Sequence, residues 1–207
     1  MSGQCHVHDH GNFDGASAAY RRVLWLVIAL NAAMFAVETS AGMLAGSAAL
    51  QADALDFLGD TATYSISLLV IGRPLKWRAR AALFKGVSLG LFGALVFAMT
   101  FYRVVVTGQP EAATMGLVGA LALAVNVVSA LVLFKFRDGD ANVRSVWLCS
   151  RNDAIGNVAV IVAAGAVALT QTPWPDLIVA AGMAALFIKG SASIIRHAQA
   201  DLARAAA

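Results

Sequence analysis

The chain alternates long apolar runs with short polar breaks, and the apolar residues in each run cover every face of a helix. Six runs stand out, at roughly 23–45, 47–72, 81–106, 113–134, 145–169 and 176–196. A helix of about 20–26 residues rises far enough, at ~1.5 Å per residue, to cross a hydrocarbon core ~30 Å thick. Short connections force neighbouring spans to run antiparallel. Gly46-Ser47 makes a very tight turn after the first span, and Pro173-Trp174-Pro175 breaks the chain before the sixth. The pattern predicts an all-α integral membrane bundle of six transmembrane helices filling 21–198. A flexible tail at 1–20 precedes it, and a short tail at 199–207 follows, with no C-terminal soluble domain expected.

The second span breaks the apolar rule. Asp53, Asp56 and Asp60 fall inside it. Asp56 and Asp60 stack one turn apart on a single helical face, with Asp53 a turn earlier on the same side. One Asp at the centre of a spanning helix costs roughly 2.5–3.5 kcal/mol on insertion scales. Three cost on the order of 8–10 kcal/mol by simple addition. Such carboxylates must face a partner, a water-filled cavity or a cation.

Composition agrees with a membrane protein: 59% of the 207 residues are hydrophobic and 13% charged, where soluble domains carry about 25% charged residues. The mean hydropathy is +0.73. The net charge of +3 becomes informative only when mapped onto the connections. Arg21 and Arg22 precede the first span, and Arg73, Lys76, Arg78, Arg80 and Lys85 crowd the second connection. Lys135, Arg137 and Arg144 flank the fourth, and Lys189, Arg196 and Arg204 lie towards the C-terminus. The alternate connections hold no Lys or Arg, so both termini are expected in the cytoplasm. Topology accounts for these basic clusters, and no nucleic-acid partner is expected. No signal peptide is recognisable at the N-terminus. Cys5 lies in the tail and Cys149 in the fifth span, too far apart for an expected disulfide.

The fifth span carries a second polar group. Cys149, Asp153 and Asn157 share one face at fourfold spacing. Counted along antiparallel spans, Asp60 lies ~20 Å and Asp153 ~24 Å from the outer end, a similar depth. Carboxylates converging from two helices in a low-dielectric bundle cannot all stay ionised unless something positive joins them. A divalent cation does this, and so do protons. Internal ion pairs with Lys85 or Arg151 are the competing explanation. Two bases cannot neutralise Asp53, Asp56, Asp60 and Asp153 together. For Asp53 a supporting role beside the cation and simple proximity to the outer interface both stay open. Either Cys149 or Asn157 supplies the fourth donor. In the tail, Cys5, His6, His8 and His10 form a compact donor cluster, read either as a weak metal-capture arm or as a solvated tail.

The run from Gly46 through Asp60, with its Gly-Ser start, Asp53-Ala54, Asp56 and Asp60, resembles the second transmembrane helix of cation diffusion facilitators. In that family the His or Asp of this helix is followed four residues later by Asp, positions that fall on Asp56 and Asp60. The fifth helix of the family carries His or Asp and then Asp four residues on. Asp153 matches the second position, and Cys149 departs from the first. Asn31, Glu38 and Asn126 also sit where the family places polar residues. The resemblance implies a secondary active transporter, a proton antiporter exporting a divalent transition-metal cation, with Asp56, Asp60, Asp153 and Cys149 as metal ligands. Asp53 and Asn157 would support them.

Zn²⁺ is the cargo expected from the family, with Cd²⁺, Co²⁺, Fe²⁺ and Mn²⁺ open, because the donor set mixes hard carboxylates with a soft thiolate. No permanently bound cofactor and no enzymatic activity are expected. Expected partners are membrane lipid, the metal cation, protons and a second copy in a homodimer, and the inner membrane of a bacterium is the expected location. The family commonly has a cytoplasmic C-terminal domain of metallochaperone-like shape, and a short member without it is expected. A non-transporting accessory subunit acting through a partner is the alternative. A haem protein is disfavoured, since His197 alone approaches a span.

Overall fold

Six helices form where the apolar runs lie, and the residues at their ends explain where each stops. The computed structural model describes residues 17–106, 108–138 and 141–205. The helices are α1 (Ala18–Ala45), α2 (Ala48–Leu69), α3 (Leu75–Val106), α4 (Ala112–Leu133), α5 (Ala141–Thr170) and α6 (Trp174–Arg204). A 3-10 turn at Phe134–Phe136 follows α4. Helices α1, α3 and α6 run past the expected spans into polar sequence, so residues 199–204, expected as tail, continue α6. Gly46 ends α1 in the left-handed region at φ 65°. It lets the backbone N–H groups of Gly46 and Ser47 reach back to the carbonyls of Met43 and Gly42. Ser47 then caps α2, accepting from the Leu50 N–H at 3.0 Å.

Five of the six helices are long and apolar enough to cross a membrane. Helix α2 is the exception, because its carboxylates lower its hydropathy. The bundle inverts the soluble pattern. Leu44, Leu69, Phe101, Leu117 and Leu169 are exposed on its flanks, while Glu38, Asp53, Asn126 and Asn157 are buried within. That arrangement suits lipid outside and a polar interior.

Two groups of helices compose the bundle. Helix α1 packs on α2 and α4, and α4 on α5, while α3 and α6 form a closely packed pair. The α3–α6 seam is built on Gly86, Gly90 and Gly93, at helical spacing. A Cβ on Gly86 would meet Ile195 Cγ1 at 2.8 Å, one on Gly90 would meet Ser191 Oγ at 2.7 Å, and one on Gly93 would meet Ile188 Cγ1 at 2.9 Å. The missing side chains let the backbones approach, and Ser191 Oγ donates to the Gly86 carbonyl at 2.6 Å.

At the end away from the basic connections, the pair is fastened to the α1–α2 turn. Asp176, in the first turn of α6 and 1% exposed, accepts from Ser47 Oγ at 2.6 Å and from the backbone N–H groups of Ala48 and Ala49 at 2.7 and 3.0 Å. Arg103 of α3 donates to the Gly46 carbonyl. One carboxylate from α6 therefore caps the N-terminus of α2.

Candidate metal centre

Helices α2 and α5 meet directly at few places and part between them. Towards the basic end, Tyr64 Oη donates to the Val146 carbonyl at 3.5 Å and lies 3.4 Å from Ser150 Oγ. Further along, Asn157 Nδ2 donates to Asp53 Oδ2. Between these two clamps a cavity of about 890 Å³ opens, lined by residues of α2, α3, α5 and α6. Asp53, Asp56, Asp60, Cys149 and Asp153 line it, with Lys85 and Phe187 among the opposite wall.

Asp153 is the hub of this group. Its carboxyl group lies within hydrogen-bonding reach of both Asp56 and Asp60, so the fourfold spacing on α2 and the single Asp on α5 bring three carboxyls together. Tyr64 also reaches Asp60. Cys149 lies a turn nearer the basic end, exposed to the cavity and within reach of Tyr64. The donors line the cavity without closing on a single point: among the described residues, no three His, Cys, Asp or Glu side chains are gathered tightly enough to enclose an ion.

The competing ion pairs do not form. Among the described residues the ion pairs are Arg137–Asp138 and Arg204–Asp201, both away from the cavity. Arg151 is exposed, donating to Asn152 at 3.1 Å with its guanidinium 5.3 Å from the centre of the Trp147 ring. Lys85 does not extend to the interface as a long side chain near a helix end can. Its Nζ donates to Ser67 Oγ at 2.7 Å on the cavity wall. Ser67 lies two turns along α2 from Asp60, ~10 Å away by helical rise.

Asp53 is 1% exposed and borders the cavity. Asn157, the alternative fourth donor, does not border the cavity. It is fully buried, accepts from Asn126 Nδ2 at 2.9 Å and directs its own N–H to Asp53. Its position leaves Cys149 as the cavity-lining donor of the two. The cluster of Cys5, His6, His8 and His10 lies outside the described residues.

Three residues carry more than their place in the sequence pattern assigns them. Glu38 is buried to 0% exposure with neither carboxyl oxygen receiving a hydrogen bond from a donor among the described residues, and Asp53 is within reach of it. Its placement two turns after Asn31 and one turn before Gly42, on one helical face, is the available signal. Lys85 faces inward because Ser67 gives it an acceptor. Asp176 reads in the sequence only as a polar loop residue, since its partners are distant along the chain.

Residues 24–203 match the cation efflux transmembrane domain. The chain is 29% identical over 194 residues to the metal cation efflux system protein CzcD of Cupriavidus metallidurans, covering 86% of this chain and 58% of that protein. It is 24% identical over 185 residues to a cadmium, cobalt and zinc/H(+)-K(+) antiporter of Bacillus velezensis, covering 82% and 58%. The chain thus spans somewhat under two thirds of the length of these curated relatives.

Proposed function

The chain belongs to the cation efflux family, and from that premise we propose that it is a secondary active transporter exporting a divalent transition-metal cation in exchange for protons. The observation that carries the reading is the convergence of Asp56, Asp60 and Asp153 on one cavity with no basic side chain paired to them among the described residues. Carboxylates left so must share protons or bind a cation, and the two exclude each other. Metal entering displaces protons, and protons entering displace metal. That competition is antiport at a single site.

Asp56, Asp60 and Asp153 supply the oxygen ligands, and Cys149, once deprotonated by the metal, supplies sulfur. Asp53, held by Asn157, supports the α2 ligands from behind. Zn²⁺ suits a mixed oxygen and sulfur tetrahedron, and Cd²⁺ and Co²⁺, named for the Bacillus relative, are the next cargoes to test, followed by Fe²⁺ and Mn²⁺. The cavity lies towards the basic end of the bundle, from which cytosolic ions would enter if that end is cytoplasmic. Movement of the α3–α6 pair against the other four helices would expose the site to each side in turn. A bacterial inner membrane and a homodimer complete the reading.

The test is flux in sealed vesicles with a fluorescent Zn²⁺ reporter and an imposed pH gradient. Proton-driven Zn²⁺ movement is expected in the wild type and its loss in Asp153→Ala. Absence of flux with every metal named above would overturn the reading.

A further inference from the structure

We propose that Glu38 and Asp53 form a second buried cation site, separate from the metal ligands, that holds one of the exchanged protons. The inference deepens the antiport reading and rests on it. Glu38 of α1 and Asp53 of α2 are 0% and 1% exposed, and their carboxyl groups face each other within hydrogen-bonding reach. Neither Glu38 oxygen receives a hydrogen bond from any donor among the described residues. An ionised carboxylate only accepts, so two carboxyl groups can bond to each other only with a proton between them. Neither group forms an ion pair with a Lys, Arg or His among the described residues. Leaving both charged would strongly disfavour the fold, because each ion would be desolvated without a counter-charge.

The surrounding bonds leave one proton for the pair to share. Asn126 Nδ2 donates to Asn157 Oδ1, and Asn157 Nδ2 donates in turn to Asp53 Oδ2. That bond occupies one Asp53 oxygen, so the proton lies between Glu38 and the other. The Asn126 Oδ1 atom closes the far end of this chain without a partner. Among the described residues, the titratable group acting on the pair from outside it is Asp56 of α2; α4 and α5 reach it through the amides of Asn126 and Asn157. Asp53 borders the metal cavity while Glu38 lies behind it. A proton on Glu38 can therefore pass through Asp53 to the cavity without Glu38 touching the metal.

The experiment uses the full chain in vesicles loaded with a Zn²⁺ reporter and a pH-sensitive dye, comparing wild type with Glu38→Gln and Glu38→Asp. Gln keeps a donor to Asp53 and cannot release it. Glu38→Gln is expected to move Zn²⁺ with about one proton fewer per ion, and Glu38→Asp to keep the wild-type ratio. Asp53→Asn provides a second reading by calorimetry in detergent, where proton release on Zn²⁺ binding, measured in buffers of different ionisation enthalpy, should also fall by about one. Wild-type ratios in folded Glu38→Gln, or unchanged release in Asp53→Asn, would overturn the site while leaving antiport standing. Wild-type Zn²⁺ flux without proton movement would overturn the antiport reading and this site together. Loss of coupling to a K⁺ or Na⁺ gradient alone in Glu38→Gln would overturn the proton assignment.

Discussion

Replacing Asp176 with Ala should loosen the outer end of the bundle while leaving every metal ligand in place. The carboxylate receives three bonds, from Ser47 Oγ at 2.6 Å and from the N–H groups of Ala48 and Ala49 at 2.7 and 3.0 Å. Bonds to a charged acceptor are worth roughly 1.5–3 kcal/mol each, and a buried donor left unmatched costs about 1–3 kcal/mol. Ser47 can turn to another acceptor and still caps Leu50, so the loss falls mainly on the two backbone N–H groups. A net destabilisation of about 3–5 kcal/mol follows. In a chain of this size that corresponds to a melting point lower on the order of 10 °C. Asp176→Asn keeps one acceptor oxygen and should recover about half of the loss. The assay is thermal unfolding of all three proteins in detergent, followed by the loss of helical circular dichroism. Equal melting points for wild type and Asp176→Ala would sink this account, because they would mean that the α6 carboxylate contributes nothing to holding α2.

Three further outcomes follow from the cavity and the seam. Zn²⁺ affinity should fall as pH falls, by about tenfold per pH unit for each proton displaced, because the same carboxylates bind both ions; competition titrations between about pH 6 and 8 would read the slope, and a flat profile would deny the shared site. Lys85→Met removes a positive charge from the cavity wall. With ~10 Å between Ser67 and Asp60 along α2, an effective dielectric of about 20 gives repulsion of about 3 kcal/mol towards a divalent ion. Zn²⁺ should then bind on the order of a hundredfold more tightly, with Lys85→Arg close to wild type by calorimetry. Gly90→Val would drive a side chain into Ser191, whose Oγ lies 2.7 Å from the position of an added Cβ; a cost of about 1–3 kcal/mol should appear as slower transport and a lower melting point, with equilibrium Zn²⁺ affinity unchanged.

Much of the bundle is legible along the chain because the bilayer imposes a length and a polarity on each span. The spacing of Asp56 and Asp60, and the match in depth to Asp153, suffice to bring those three carboxyls together. What escapes is whatever depends on the lateral arrangement of helices. Asn157 shares a helical face with Asp153, yet it lies outside the cavity lining and donates to Asp53. Lys85 sits near a helix end, where a free side chain reaches the interface, yet it turns inward to donate to Ser67. Asp176 and Ser47 are far apart in sequence, so no local pattern can pair them. Glu38 is visible as a polar residue, but its isolation from every donor is a property of the helices packed around it.

The α3–α6 seam is zipped by glycines outside the cavity lining, and the ligands we propose sit on α2 and α5. On that proposal, cargo choice and mechanical stiffness are written into different helices. Selection could retune one without disturbing the other: an exchange at Cys149 would alter which ion is held, whereas an exchange at Gly86 or Gly93 would alter how readily the pair yields. A lineage facing a new cation would then need few substitutions, all on α2 and α5, and would keep the seam unchanged.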